Sequence, residues 1–133
     1  MLKGGCILNH DRQPGETLIS VMSRHTDDTG KVSHPGITPD KFDLHYPELG
    51  PHPKAIGPYL RGEIDWDEFA GLYRARLVEN PATIDKLEEL IRRTLSGEDI
   101  VVLCKESDHS ECHRGLLLGH VATTHPELEV EFA

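Results

Sequence analysis

Val101-Val102-Leu103-Cys104-Lys105-Glu106, followed by Cys112-His113-Arg114 and Gly115-Leu116-Leu117-Leu118, spells a buried strand, a short polar loop and a helix. An unbroken apolar run ending in Cys104 suits a strand, and Ser110 is the expected N-cap, which would put Cys112 and His113 in the first helical turn. Backbone N–H groups at a helix N-terminus point outward with partial positive charge, so an anion is favoured there and a thiol ionises more readily. In an open α/β sheet, ligands bind beyond the carboxyl ends of the strands, which is where these residues fall.

Working outward, Thr17 to Arg24 is the first strong strand expectation, with Ile19 and Val21 β-branched and Pro14-Gly15 as the turn before it. Arg24 and His25 then sit at its carboxyl end. From about residue 26 to 53 the chain is dense in Pro, Gly and Asp and reads as a long ordered loop or lid, pinned by Ile37, Phe42, Tyr46 and Leu49. A short helix is expected from Pro53 to Arg61. Asp65-x-x-Glu68 resembles a capping box opening a helix with Trp66, Phe69, Tyr73 and Leu77 on one stripe. Asn80 then caps a third helix, with Pro81 at its first position, Ile84, Leu87, Ile91 and Leu95 inward, and Gly97 as terminator. After the strand Ile100 to Cys104 come a helix from about Glu111 to Thr123 and the strictly alternating strand Glu127 to Phe132.

Strands separated by helical segments predict an α/β fold: a single domain over residues 1–133 with a mostly parallel central sheet flanked by helices, a Rossmann-like three-layer arrangement. If the strands ending near Arg24 and Cys104 are parallel neighbours, Arg24 and His25 come beside Cys112, His113 and Arg114.

Each polar residue has a chemical reading and a bland one. Cys112 is the expected nucleophile, favoured by the helix N-terminus, a nearby imidazole and a guanidinium, and opposed by Glu106, Asp108 and Glu111. An isolated Cys is more often a small buried apolar residue. Cys104, ending a buried strand, reads as core packing, with a resolving or metal-binding role as the alternative. His113 or His25 would act as general base. Adjacent helical residues point about 100° apart, so Cys112 and His113 cannot face one atom without help from the loop. Arg24 and Arg114 are expected anion clamps, or else partners of Glu106 and Asp108 in internal salt bridges. Glu106 and Ser110 complete the expected ligand-binding set.

Two known thiol loops fail on spacing. A tyrosine-phosphatase-like loop needs Cys-x5-Arg, but Ser110 lies six residues after Cys104 and Asp108 six before Arg114, and no Arg or Gly closes a rhodanese-type loop. Cys104, His109, Cys112 and His113 offer soft ligands, with His25 or His34 near. Their spacing, Cys-x7-Cys-His, matches no common zinc module, so no cofactor is expected and zinc is kept as the alternative. His10, His45, His52, His120 and His125 are scattered and read as solvent-exposed.

Leu103-Cys104-x-Glu106-x5-Cys112-His113-Arg114 resembles the C-terminal signature of the domain of unknown function 488 family. Ser23-Arg24-His25-Thr26, Ile37-Thr38-Pro39-Asp40-Lys41-Phe42-Asp43, Pro47-Glu48-Leu49-Gly50-Pro51 and Ile56-Gly57-x-Tyr59-x-Arg61-Gly62-Glu63-Ile64-x-Trp66-x-Glu68-Phe69 are similar to its archaeal type. The resemblance spans about Leu18 to His120 and implies a compact α/β domain with these polar residues grouped.

Composition bounds the rest. Twenty-three Asp and Glu against fourteen Lys and Arg give a net charge of −9, which repels a phosphate backbone, and Arg92-Arg93 is the only basic doublet, so nucleic acid is not an expected partner. An odd number of cysteines, two of them in the expected site, fits free thiols in a reducing cytosol. The absence of an apolar leader or membrane-length run points to a soluble cytoplasmic protein. These features together predict an enzyme acting on a phosphate- or carboxylate-bearing small molecule. The alternative is a non-catalytic ligand- or metal-binding regulatory module.

Overall fold

A computed structural model describes residues 1–27, 31–106 and 110–132. Along the chain lie β1 (Leu2–Cys6), β2 (Glu16–Ser20), β3 (Leu44–His45), α1 (Pro53–Leu60), α2 (Trp66–Glu79), α3 (Pro81–Leu95), β4 (Asp99–Cys104), α4 (His113–Thr124) and β5 (Val130–Glu131). The strands form one sheet in the order β3-β2-β4-β1-β5, every neighbouring pair parallel. The α/β architecture and the parallel pairing of β2 with β4 follow the sequence expectation.

Alternation along the strands divides two cores. Leu2, Ile19, Ile100 and Val102 face α2, α3 and α4, whose Tyr73, Leu77, Leu87, Leu90, Ile91, Leu117, Leu118 and Val121 complete the larger cluster. Leu18, Val101 and Leu103 face the other way, onto Ile7, Met22, Ile37 and Phe42. The three layers are therefore helices, sheet and a thinner cover of loop residues. Residues 7–15 join β1 to β2 across β4 with no helix between, which leaves that second face to loops.

Local capping explains the helix starts. The Asp65 side chain accepts from the Glu68 N–H at 2.8 Å, and Asn80 accepts from the Thr83 N–H at 3.0 Å with Pro81 at the first position. Gly97, at φ +101, ends α3 in the left-handed conformation that favours glycine.

Several expectations need correction. β2 ends at Ser20 and not at Arg24, because Val21 makes one more bond to Leu103 O, at 3.0 Å, before the chain turns away. The last strand shortens to Val130–Glu131, since the Leu128 N–H closes a turn onto His125 O. Leu95 is 55% exposed, and the inward face of α3 runs through Thr83, Leu87, Leu90, Ile91 and Thr94, with Ile84 half-buried. α4 begins at His113 with Cys112 as N-cap, two residues later than Ser110 would have set it. His10, His120 and His125, expected at the surface, are half-buried, and His10 meets Glu16 at 2.9 Å.

Two strands had no sequence forecast. β1 carries Gly4-Gly5, which reads as loop, yet Gly4 lies where α4 comes closest: a Cβ there would stand 2.7 Å from Phe132 O and 2.9 Å from Leu118 Cδ1. β3 is two residues inside the Pro-rich segment, held beside β2 at Ile19↔Leu44 and Ser20↔His45.

Candidate functional site

The sheet order defines a crevice. The chain leaves β2 toward β3 on one side and leaves β4 toward α4 and β5 on the other, so the carboxyl ends of β2 and β4 form a topological switch point, where ligands bind in open α/β sheets. A cavity of about 540 Å³ opens there, walled by Met22, Arg24, Arg61, Cys104, Glu106 and His113 among others. The Ser23 hydroxyl donates to Pro51 O at 2.6 Å, tying the segment after β2 to the start of α1.

Cys104, Glu106 and His113 line the cavity, and Cys112 joins their polar group from outside the lining. Cys104 Sγ lies 3.1 Å from Glu106 Oε2 and 3.6 Å from His113 Nδ1, and Cys112 Sγ lies 3.5 Å from the same Glu106 oxygen. The two sulfurs and the imidazole nitrogen all lie within 4.8 Å of one another, a group able to hold a metal ion. His113 Nε2 meets the carbonyl of Val21 at 2.7 Å. A carbonyl only accepts, so Nε2 carries a proton, and in the neutral form of the ring the Nδ1 lone pair faces the thiols. Tyr73 packs edge-on against this ring, centroids 5.4 Å apart, and its own hydroxyl donates to Leu49 O at 2.6 Å.

The cap position resolves a geometric conflict. Cys112, at φ −138 and ψ 142, is extended, so it is not bound by the helical angular step and can face the same point as His113. Its side chain does not cap the helix.

Three groups of this cluster are shifted by their surroundings. The neighbouring Cys104 and then burial push the Cys112 thiol well up, so it keeps its proton. Burial works to raise the Glu106 carboxyl, but hydrogen bonds from the Cys104 thiol, its own backbone N–H and the Cys112 thiol bring it below the usual range. Burial likewise disfavours a charged His113, and the hydrogen bond and charge of Cys112 outweigh it, so the imidazole is raised.

The other expected site residues are distributed as follows. Cys104 and Cys112 are each 3% exposed, and of the two it is Cys104 that lines the cavity. Arg24 is exposed at the rim. Arg114 is fully buried and its Nη1 donates to Gly5 O at 2.8 Å and Glu106 O at 2.7 Å, stitching β1 to the loop after β4. Its Nε and Nη2 have no hydrogen-bond partner among the described residues. The expected salt bridge to Glu106 is thus a bond to that residue's backbone. Ser110 is an exposed loop residue with contacts of its own.

His25 is drawn away from the thiols. Its Nε2 meets Ser20 Oγ at 2.7 Å, and its ring packs on Phe42 and His45 at 4.7 and 4.3 Å. Burial and then His45 lower its pKa. It does not wall the cavity. Asp108 and His109 lie outside the described residues. Arg61, which sequence reasoning left out, reaches the cavity from the end of α1 and pairs with Glu63.

Comparison with known proteins adds one finding. A family model, DUF488-N3a, described as the active DUF488-N3 subclade, matches residues 6–125. No curated protein and no solved structure matches the chain.

Proposed function

The chain belongs to the DUF488 family, and from that premise we propose that it is a cytoplasmic enzyme acting on a phosphate- or carboxylate-bearing small molecule through a thiol at the cavity floor. The matched subclade is described as active, which is said of the family and agrees with a catalytic reading. The observation that carries the proposal is the Cys104–His113 pair: a thiol on the cavity wall, 3.6 Å from an imidazole nitrogen whose lone pair faces it because Val21 holds the other nitrogen's proton.

Cys104 is the nucleophile in this reading, and its thiol proton passes to His113 Nδ1 to give the thiolate. Cys112 keeps its own proton and serves as a donor beside the reacting sulfur. The substrate's anionic group is drawn by the wall's cationic side chains Arg24, Lys31, Arg61 and Lys105, which stand with Asp27, Glu106 and, paired to Arg61, Glu63. Arg24 is the clamp at the rim, and Arg114 positions Glu106 from behind.

Iodoacetamide labelling of chelator-treated protein near neutral pH, read by mass spectrometry, tests the proposal. Cys104 is expected to react first, and inorganic phosphate to slow that reaction in the parent but not in Arg24→Ala. Equally inert thiols, or Cys112 or Cys6 reacting ahead of Cys104, would overturn the nucleophile and favour a non-catalytic binding module.

A further inference from the structure

Cys104 Sγ, Cys112 Sγ and an imidazole nitrogen of His113 form one close group beside the cavity, with Glu106 Oε2 against both sulfurs. Zinc–sulfur distances of about 2.3 Å and zinc–nitrogen or –oxygen distances of about 2.0–2.2 Å place tetrahedral ligands about 3.8 Å apart for two sulfurs and about 3.5 Å apart for sulfur with nitrogen or oxygen. Here Cys104 Sγ to His113 Nδ1 is 3.6 Å, Cys112 Sγ to Glu106 Oε2 is 3.5 Å and Cys104 Sγ to Glu106 Oε2 is 3.1 Å. The sulfurs and the nitrogen lie within 4.8 Å of one another, so drawing these three onto an ion requires a contraction of at most about 1.3 Å in any pair.

We propose that Cys104, Cys112 and His113, with Glu106 as fourth ligand, form a zinc-binding site in which Cys104 is withdrawn from the cavity chemistry while the ion is bound.

Three further features fit a zinc site. The Val21 carbonyl accepts from His113 Nε2–H at 2.7 Å, the outer-shell contact that fixes a ligating histidine's tautomer and orientation. Two thiols and an imidazole are the soft and borderline donors zinc prefers. Charge balances as well: the ion adds two positive charges while both thiol protons leave to solvent, so the buried pocket's net charge is unchanged. The buried Arg114, its Nη1 on Glu106 O, stays beside an unchanged charge. The bonds formed are two zinc–thiolate bonds, one zinc–imidazole bond and one zinc–carboxylate bond, with no change of oxidation state.

The inference shares atoms with the thiol reading and does not depend on it. The test uses zinc alone, added to chelator-treated protein, with the bound ion counted by competition against a chromophoric chelator. One zinc per chain is expected, with affinity falling at least about 100-fold in Cys112→Ser and unchanged in Cys6→Ser. Because Cys112→Ser bears on a buried position, a second measurement uses the parent: bound zinc should block alkylation of Cys104 and Cys112 and leave Cys6 as it was. Cobalt in place of zinc should give a thiolate charge-transfer band that weakens by about half in Cys104→Ser. No stoichiometric uptake, equal uptake by Cys112→Ser, or an unprotected Cys104 would overturn the site. Fast Cys104 alkylation without zinc uptake would leave the thiol reading standing alone, and zinc uptake by a protein whose metal-free Cys104 is inert would do the reverse.

Discussion

Replacing Gly4 and Gly5 with alanine, one at a time, tests how α4 is seated against the sheet. Neighbouring strand residues point to opposite faces, so the two variants carry the same chemical change to two different environments. Neither glycine has positive φ, so alanine brings no backbone strain at either. At Gly4 the new Cβ meets Phe132 O at 2.7 Å, Leu118 Cδ1 at 2.9 Å and Arg114 Cδ at 3.0 Å. The first is backbone of the segment after β5, and the other two are buried side chains of α4, so backbone as well as side chains must shift. At Gly5 the contacts are side chains only, His10 Nδ1 at 3.0 Å, Val101 Cγ1 at 3.1 Å and Leu103 Cδ2 at 3.2 Å, which can yield by a few tenths of an ångström. Overpacking a rigid site costs about 1–3 kcal/mol, and the lost freedom of the unfolded chain returns about 0.4–1 kcal/mol. Gly4→Ala should therefore lose about 1–2 kcal/mol, and Gly5→Ala should stay within about 0.5 kcal/mol of the parent. Urea unfolding followed by far-UV circular dichroism measures both, and at a slope of about 1–2 kcal/mol per molar the midpoints should separate by about 0.5–1.5 M. Gly4→Ala should also disturb the site, since Arg114 loses its seat for bonding Gly5 O and Glu106 O. Equal midpoints, or Gly5→Ala as the more damaging change, would refute the assignment of faces.

Leu90→Ala, at a fully buried position, should cost about 2–5 kcal/mol, whereas Leu95→Ala, 55% exposed, should change stability by less than about 0.5 kcal/mol; similar losses would show the α3 face misassigned. Burial works to raise the Glu16 carboxyl, but the Gln13 N–H, Lys3 and His10 draw it down to about 2, so its contribution is present above the unfolded value near 4.5 and is lost as pH falls through 2. After allowance for solvent screening this is about 1–2 kcal/mol, and the gap between the parent and Glu16→Gln should close between pH 4.5 and 2; a gap that stays constant in urea titrations across that window would remove Glu16 as its source.

The helices and the central strand pair were legible because their signals are local. Asp65 and Asn80 each accept the N–H three residues on, as their spacing promised, and the apolar run to Cys104 could only be a covered strand. β1 and β3 were not legible, because neither carries a pattern of its own. β1 has glycines where a helix must approach, and β3 exists only because Ser20 and Ile19 offer it an edge. The site was legible in its members and not in their parts. Cys104, Glu106, Cys112 and His113 are close in sequence, but which sulfur faces the cavity depends on where α4 starts, and one residue's difference at a helix start exchanges an inward side chain for an outward one.

That start also explains why Cys112 and His113, adjacent in sequence, serve one point in space. Inside a helix their side chains would diverge by about 100°. With Cys112 as the extended cap and His113 as the first helical residue, the angular step applies to neither pair of directions, and both reach Cys104. The arrangement depends on α4 lying low over β1, which Gly4 permits, and on its first turn being tied down, which His113 does to Val21 and Arg114 does to Gly5 and Glu106. Val21 follows β2, Gly5 belongs to β1 and Glu106 follows β4. Three adjacent strands thus fix one helix start, and the polar group between them takes its position from the sheet.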